Sequence, residues 1–333
     1  MEYLEQTAHI PKEVLVTSHP NPADPRFVDF ALSELEKLSK RLSFGLMVAE
    51  SPRNESEARQ LLLESSSSDH IILGGDGVNH NIYSALYEIK PDIARMNPLG
   101  GGGACDLARQ VHPFINSYFI RRALSSPSLP HRPLLVTAEH PEINAPDNKI
   151  ETIAMVYWAL GFTAKMGTIF NSNEFREKVS SKNPKVRKAY QVNEILKNLK
   201  TNDTLIIEHE DEEPDMVNEY VFPNGNRMAG GLVRFSGNST FKDQFGEMAV
   251  GPISFPTFFK SLGKAVLGLY DKHQLGEVVR FTASSLDESP LAYQADGETG
   301  VIPSGSLITI KLGEPRIEIV TSNPYHRQID KAA

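Results

Sequence analysis

Three short segments carry residue types that could do chemistry. Gly74-Gly75-Asp76-Gly77 and Gly100-Gly101-Gly102-Gly103 are Gly-rich turns, and Asp296-Gly297-Glu298 sets two carboxylates about one glycine. Each Gly-rich turn follows an apolar run and precedes a helical pattern. Glycine lets the chain turn sharply and approach a ligand without a Cβ clash. Gly74, Gly75 and Gly77 can therefore bring backbone N–H groups toward an anion, and the following helix adds its N-terminal dipole. Nucleotide phosphate is the obvious candidate. Asp76 is odd beside a phosphate. It makes sense if it holds Mg²⁺, orients a backbone N–H or contacts the nucleoside.

The second turn strengthens the phosphate reading. Ordering four consecutive glycines is entropically costly, and a plain strand–helix connection does not need them. Asp106 and Arg109 lie three apart and share a helix face. Arg109 either clamps phosphate or pairs with Asp106. Cys105 sits at the mouth of the turn with no identifiable histidine partner, which argues against a nucleophile. No Gly-Lys-Ser/Thr follows either turn, so neither is a Walker A loop, and the dinucleotide fingerprint spacing is absent.

Asp296-Gly297-Glu298 reads as a tight turn between strands. A hydroxyl attacking a γ-phosphate needs positioning and a place for its proton, and an aspartate can supply both. Either carboxylate could instead help hold Mg²⁺. An acid pair at a hairpin turn is also a common structural feature.

These segments need elements to position them. The first 112 residues alternate short apolar runs with 3.6-period patterns: strands at 14–17, 44–48, 70–73 and 93–96, and helices at about 26–42, 56–63, from about Asn79 to Pro91, and 104–111. This alternation predicts a parallel sheet covered on both faces, with ligands beyond the C-terminal strand ends. Both Gly-rich turns fall there. Beyond Pro130 strand-like runs dominate, at 134–138, 152–160, 204–208, 231–235, 278–282, 307–311 and 316–320. Helical patterns interrupt them at about 184–199 and 256–269. The expected organisation is α/β: a parallel-sheet nucleotide domain over 1–130, a β-rich antiparallel domain over 131–322, and a tail at 323–333.

The 333 residues are 40% apolar and 23% charged with net charge −8, an ordinary folded composition that argues against nucleic acid as a partner. A single cysteine, Cys105, excludes an internal disulfide and a Cys-based metal cluster within one chain. No segment reads as a signal peptide or an apolar span. The cytoplasm is the expected location, with any membrane contact peripheral. Residues 171–200 are rich in Lys and Arg and could face anionic lipid, or simply solvent. The acidic run at 208–215 reads as an exposed loop.

Together the motifs resemble the diacylglycerol kinase catalytic-domain family, which includes sphingosine and ceramide kinases and bacterial soluble lipid kinases. Gly74-Gly75-Asp76-Gly77 matches the family's nucleotide loop. Asn97-Pro98-Leu99-Gly100 with Asp106-Leu107-Ala108-Arg109 resembles its proline-led second loop. Gly161-Phe162-Thr163-Ala164 resembles the Gly-Phe-Asp-Ala stretch, and Asp296-Gly297-Glu298 matches the late Asp-Gly-Glu element. The resemblance runs from about Val14 to Val320. It implies the NAD kinase/diacylglycerol kinase-like fold, ATP and Mg²⁺ as cofactors and a lipid hydroxyl as acceptor. Asp296 would be the base with Glu298 beside it. Asp76 and Glu298 would serve the metal, and Gly74 to Gly77, His80, Asn97, Gly100 to Gly103, Asp106 and Arg109 the nucleotide. Departures are Val78 for a threonine, His80-Asn81 where a glutamate is usual, Cys105 for an asparagine and Thr163 for an aspartate. They leave open a relative that binds nucleotide or lipid without turnover, and a kinase of a non-lipid alcohol.

Overall fold

The computed structural model describes residues 11–20, 25–89, 93–101, 105–112, 126–141, 149–180, 184–199, 204–210, 212–228, 233–235, 241, 243–251, 260, 264, 273–274 and 278–323. The first half builds the expected strand–helix units: β1 (Glu13–Ser18), α1 (Pro25–Leu42), β2 (Gly45–Glu50), α2 (Glu55–Glu64), β3 (Asp69–Leu73), α3 (Asp76–Ile89), β4 (Ala94–Pro98) and α4 (Asp106–Val111). The strands β1 to β4 pair in parallel. Period-two alternation sends their side chains to opposite faces. Val14, Val16, Ile71 and Leu73 pack against Val28, Ala31, Leu35 and Leu38 of α1. Leu15 and Ile72 pack with Ala58 and Leu62 of α2 and Ile82 and Leu86 of α3. Both faces of β1 and β3 are thus covered, while the edge strand β2 stays largely exposed.

One strand comes from the far end of the chain. β20 (Ile317–Val320) lies between β4 and β5 (Ser128–His131), parallel to the first and antiparallel to the second. The sequence reading had grouped this run with the later strands. Its physical reason for returning is burial: Ile317 and Ile319 are wholly inaccessible and join the core of the first sheet.

The remaining strands form two antiparallel six-stranded sheets. One runs in the order β10-β9-β16-β19-β6-β7 and the other β15-β14-β11-β8-β17-β18. Their members are β6 (Leu134–Glu139), β7 (Lys149–Ala154), β8 (Tyr157–Gly161), β9 (Leu205–Glu208), β10 (Asp215–Val217), β11 (Glu219–Pro223), β14 (Gly246–Val250), β15 (His273–Gln274), β16 (Val278–Ser285), β17 (Leu291–Ala295), β18 (Glu298–Ile302) and β19 (Ser306–Leu312). β12 (Arg227–Met228) and β13 (Val233–Arg234) pair as a separate ribbon. Trp158 and Phe222 from one sheet and Phe281, Ile308 and Ile310 from the other share one core, so the two sheets stack face to face.

Three local expectations change. α3 begins at Asp76 rather than near Asn79, because Gly75 O already accepts the Asn79 N–H at 3.1 Å. The run at 152–160 is two strands, β7 and β8, separated by a bend at Met155-Val156. The stretch after it, unread in the sequence, holds α5 (Phe162–Asn171) and α6 (Asn173–Ser180), followed by α7 (Pro184–Asn198). The acidic run at 208–215 does connect β9 to β10 at the surface. Most of the helix expected at 256–269 lies outside the described residues. No helix among the described residues is long and apolar enough to cross a membrane.

Candidate active site

The β3–α3 turn and the β17–β18 turn meet. A Cβ added at Gly77 would stand 2.5 Å from Glu298 Oε1. With glycine there, the Glu298 carboxylate can lie in the space a side chain would take. Two segments far apart in sequence are therefore in direct contact. The β17–β18 connection is a two-residue hairpin in which Asp296 (φ 51) and Gly297 (φ 105) are both left-handed. Asp-Gly suits this turn, since both central residues must accept positive φ. Asn171 Nδ2 donates to Gly297 O at 2.8 Å and ties the turn to α5.

Asp296 is buried, and its carboxylate is held by backbone. Oδ2 accepts from Met155 N at 2.5 Å, and Oδ1 accepts from Val156 N at 2.8 Å and Tyr157 N at 3.1 Å. The Asp296 N–H returns to Tyr157 O at 3.2 Å. The bend that splits 152–160 turns these three N–H groups onto one carboxylate. Met155 O accepts from Asn224 Nδ2 at 2.9 Å and lies 3.2 Å from His131 Nε2, whose Nδ1 meets Tyr83 Oη at 2.7 Å. Burial pushes the His131 imidazole down to about 4. The neutral ring then donates from Nε2 to Met155 O and accepts the Tyr83 hydroxyl at Nδ1.

His80 lies one turn along α3 from Asp76. Its Nδ1 is 3.6 Å from Asp296 Oδ2, and its Nε2 is 3.8 Å from Glu55 Oε1. Burial alone would lower this imidazole. Asp296, with Glu298 and Glu55, outweighs burial and raises it above the ordinary value.

The two Gly-rich turns are stitched together by Asp76. Its Oδ2 accepts the Asp106 N–H at 3.0 Å, and Cys105 Sγ points to Gly74 O at 3.7 Å. Of the three uses foreseen for Asp76, orienting a backbone N–H is therefore realised. Burial, then the Asp106 and Asp296 charges, push Asp76 up to about 8. Its Oδ1 has no hydrogen-bond partner among the described residues. A buried carboxylate oxygen left without a donor, among other acids, suits a divalent cation. No group of three or more metal-ligating side chains is assembled among the described residues, so water and phosphate oxygens would complete such a site.

Gly100 and Gly101 carry positive φ at the end of β4, and Arg109 is half-buried in the last turn of α4. Gly102 and Gly103 lie outside the described residues. Asn97 is turned elsewhere: its Oδ1 is 2.9 Å from His112 Nε2, and His112 Nδ1 is 3.0 Å from Ser322 Oγ. That chain anchors the segment after β20.

Sequence reading missed Glu55, Tyr157 and Glu219. Glu219 is buried in β11, and its Oε2 accepts the Thr163 N–H at 2.6 Å at the start of α5. Burial pushes it up to about 8. It thus supplies a carboxylate beside Thr163, the position where the resembled family carries an aspartate. An acid at the head of the apolar run Tyr220-Val221-Phe222 was the available signal. Gly161 is wedged against the Asn218 carbonyl with φ 92, a conformation and a close approach that suit glycine. Tyr157 is held well above its usual value by burial and by the Asp106, Asp76, Asp296 and Glu219 carboxylates around it.

No protein-family model and no curated protein matches the sequence. Solved structures do match. A structure described as a diacylglycerol kinase from Bacillus anthracis aligns with TM-score 0.64 at 14% identity, covering 96% of this chain and 99% of that one. Yeast NADH kinase in complex with NADH aligns with TM-score 0.53 at 14% identity, over 96% of this chain and 87% of that one. The chain therefore has the α/β-plus-β-sandwich fold that these two kinases share.

Proposed function

We propose that the chain is an ATP- and Mg²⁺-dependent kinase that phosphorylates a lipid hydroxyl. The observation that carries this reading is the contact between Gly77 and Glu298, which joins the phosphate-type turn to the Asp296 turn. The fold likeness supports phosphoryl transfer. The fuller alignment with the diacylglycerol kinase than with the NADH kinase favours the lipid acceptor.

The chain's own residues divide the work. Backbone amides at Gly75, Asp76 and Gly77 open α3 and face the position for phosphate, where the helix dipole favours negative charge. Asp76, with Glu298 near it, would hold the metal, which supplies neutralisation of charge building on the transferring phosphoryl group. The Asp296–His80 pair stands beside them to receive the proton of the acceptor hydroxyl.

Radiolabelled ATP, Mg²⁺ and a panel of diacylglycerols, sphingoid bases and ceramides test the reading. Label transferred to one lipid class is expected. Folded protein that labels none of them overturns the lipid reading, and label on a soluble alcohol instead would replace the acceptor. A second reading, nucleotide binding without turnover, is favoured by the three backbone bonds that already occupy Asp296. Calorimetric ATP binding with no transfer to any alcohol would select it.

A further inference from the structure

Asn224 follows β11 and is buried, and it acts on Asp296 through the bend at Met155-Val156. Its side-chain amide donates from Nδ2 to Arg132 O at 2.8 Å and to Met155 O at 2.9 Å. Both partners are carbonyls, which only accept, so the nitrogen side of the amide is fixed. The backbone N–H groups of Asn224 and Gly225 donate to Val156 O, each at 2.8 Å. Met155 O and Val156 O belong to the same two peptide units whose N–H groups, at Val156 and Tyr157, bind Asp296 Oδ1. A peptide unit is planar, and in its trans form C=O and N–H point in opposite directions. Holding the carbonyl at one end therefore aims the N–H at the other. A carbonyl that accepts a hydrogen bond also strengthens the donation by its own N–H. Asp296 is thus clamped through two rigid plates, each held from behind by Asn224.

The hold continues to the phosphate side. His131 Nε2 is a second donor to Met155 O, at 3.2 Å, and its Nδ1 is 2.7 Å from Tyr83 Oη of α3. The rear of the bend is therefore tied to the helix that opens at Asp76. Asn224 Oδ1, by contrast, has no hydrogen-bond partner among the described residues. A buried amide oxygen without a donor costs stability. Packing alone has no use for such an oxygen, and what the side chain supplies is the donor to the bend.

We propose that Asn224 is a positioning residue for phosphoryl transfer, which sets the direction from which Asp296 meets the acceptor hydroxyl, an inference that rests on the kinase reading above. A carboxylate offers about four acceptor positions. The N–H groups of the bend occupy both positions on Oδ1 and one on Oδ2. The open position is on Oδ2, and His80 Nδ1, 3.6 Å away, is too far to fill it. The acceptor hydroxyl therefore has one line of approach to Asp296. Rotation of either peptide plane turns that line away from the phosphate turn. An error of about 1 Å in such an alignment can cost on the order of 10²-fold in rate. The phosphate turn itself is built from β3 and α3, so ATP binding is a separate quantity.

Kinetics and amide NMR test this together. Asn224→Ala keeps the backbone N–H to Val156 O and removes the side-chain donor. Its kcat per folded molecule should fall by about 10- to 100-fold with KM for ATP retained. The amide protons of Val156 and Tyr157 should shift upfield as their bonds to Asp296 lengthen. Should Asn224→Ala not fold, His131 decides through two variants of similar size. His131→Leu removes the other donor to Met155 O and should lower kcat, whereas His131→Gln retains an N–H there and should recover most of it. Wild-type kcat in folded Asn224→Ala overturns the proposal alone. So does a loss of kcat with the two amide shifts unmoved, and so do equal activities of His131→Leu and His131→Gln. Absence of transfer by the unmodified protein overturns the kinase reading beneath it, and the proposal with it.

Discussion

A methyl group at position 77 would act on stability and on the site in opposite directions. Gly77 is helical, so alanine there gains up to about 1 kcal/mol in helix propensity. The added Cβ would meet the end of the Glu298 side chain, which is exposed and can swing away. Gly77→Ala should therefore fold at least as stably as the parent while phosphoryl transfer falls, because Glu298 has left its place beside the turn. Thermal unfolding paired with kcat checks this, and unchanged kcat would show that Glu298 has no part in transfer. The same residue shows what was legible at this scale. The glycine was visible in the sequence and suggested space for a phosphate. That the space is shared with a distant carboxylate depends on tertiary packing, which no local pattern encodes.

Among the elements, the join between α5 and β11 makes stability depend on pH. Glu219 accepts the Thr163 N–H at the start of α5, and burial holds it at about 8 against an ordinary value of 4.5. Below the ordinary value both folded and unfolded chains carry the proton, and the folded state keeps its full advantage. Between the two values the folded chain binds one proton more, so stability falls as pH rises, by at most about 1.4 kcal/mol per pH unit from this group. Glu219→Gln stays neutral throughout and should flatten that slope between pH 5 and 8 in urea unfolding. An identical slope in the variant would show that Glu219 is ionised in the folded protein. Legibility at this scale divides by the range of the interaction. Alternating strand and helix periods marked the units from β1 to α4, though not β5, and Asp-Gly marked the β17–β18 hairpin. The Met155-Val156 bend was hidden because both residues are apolar and buried, like the strands on either side. α5 was hidden because Gly167 and two threonines weaken its helix signal.

At the scale of the whole molecule the two halves are laced together by chain topology. β20 follows the strands of the sandwich, yet it sits inside the first sheet with β4 on one side and β5 on the other. Sequence could mark Ile317–Val320 as a strand but not its neighbours, because pairing partners far apart in the chain leave no local trace. Gln110 of α4 adds a second lacing: its Oε1 accepts the Asn226 N–H at 3.0 Å, and its Nε2 donates to Arg227 O at 3.3 Å. Arg132 O accepts from Asn224 Nδ2 in the same region. A fragment ending at residue 130 would therefore lack a central strand, leaving the edge of β4 unpaired and the core around Met96 open to water. An open apolar strand edge invites association with other chains. The fragment 1–130 should be insoluble or give a collapsed amide NMR spectrum, although it contains both Gly-rich turns. Supplying residues 313–323 on a flexible linker should recover dispersion, since that segment restores β20 without the sandwich. A well-dispersed spectrum from 1–130 alone would show that β20 is dispensable to the first sheet, and the phosphate turns could then be studied apart from Asp296.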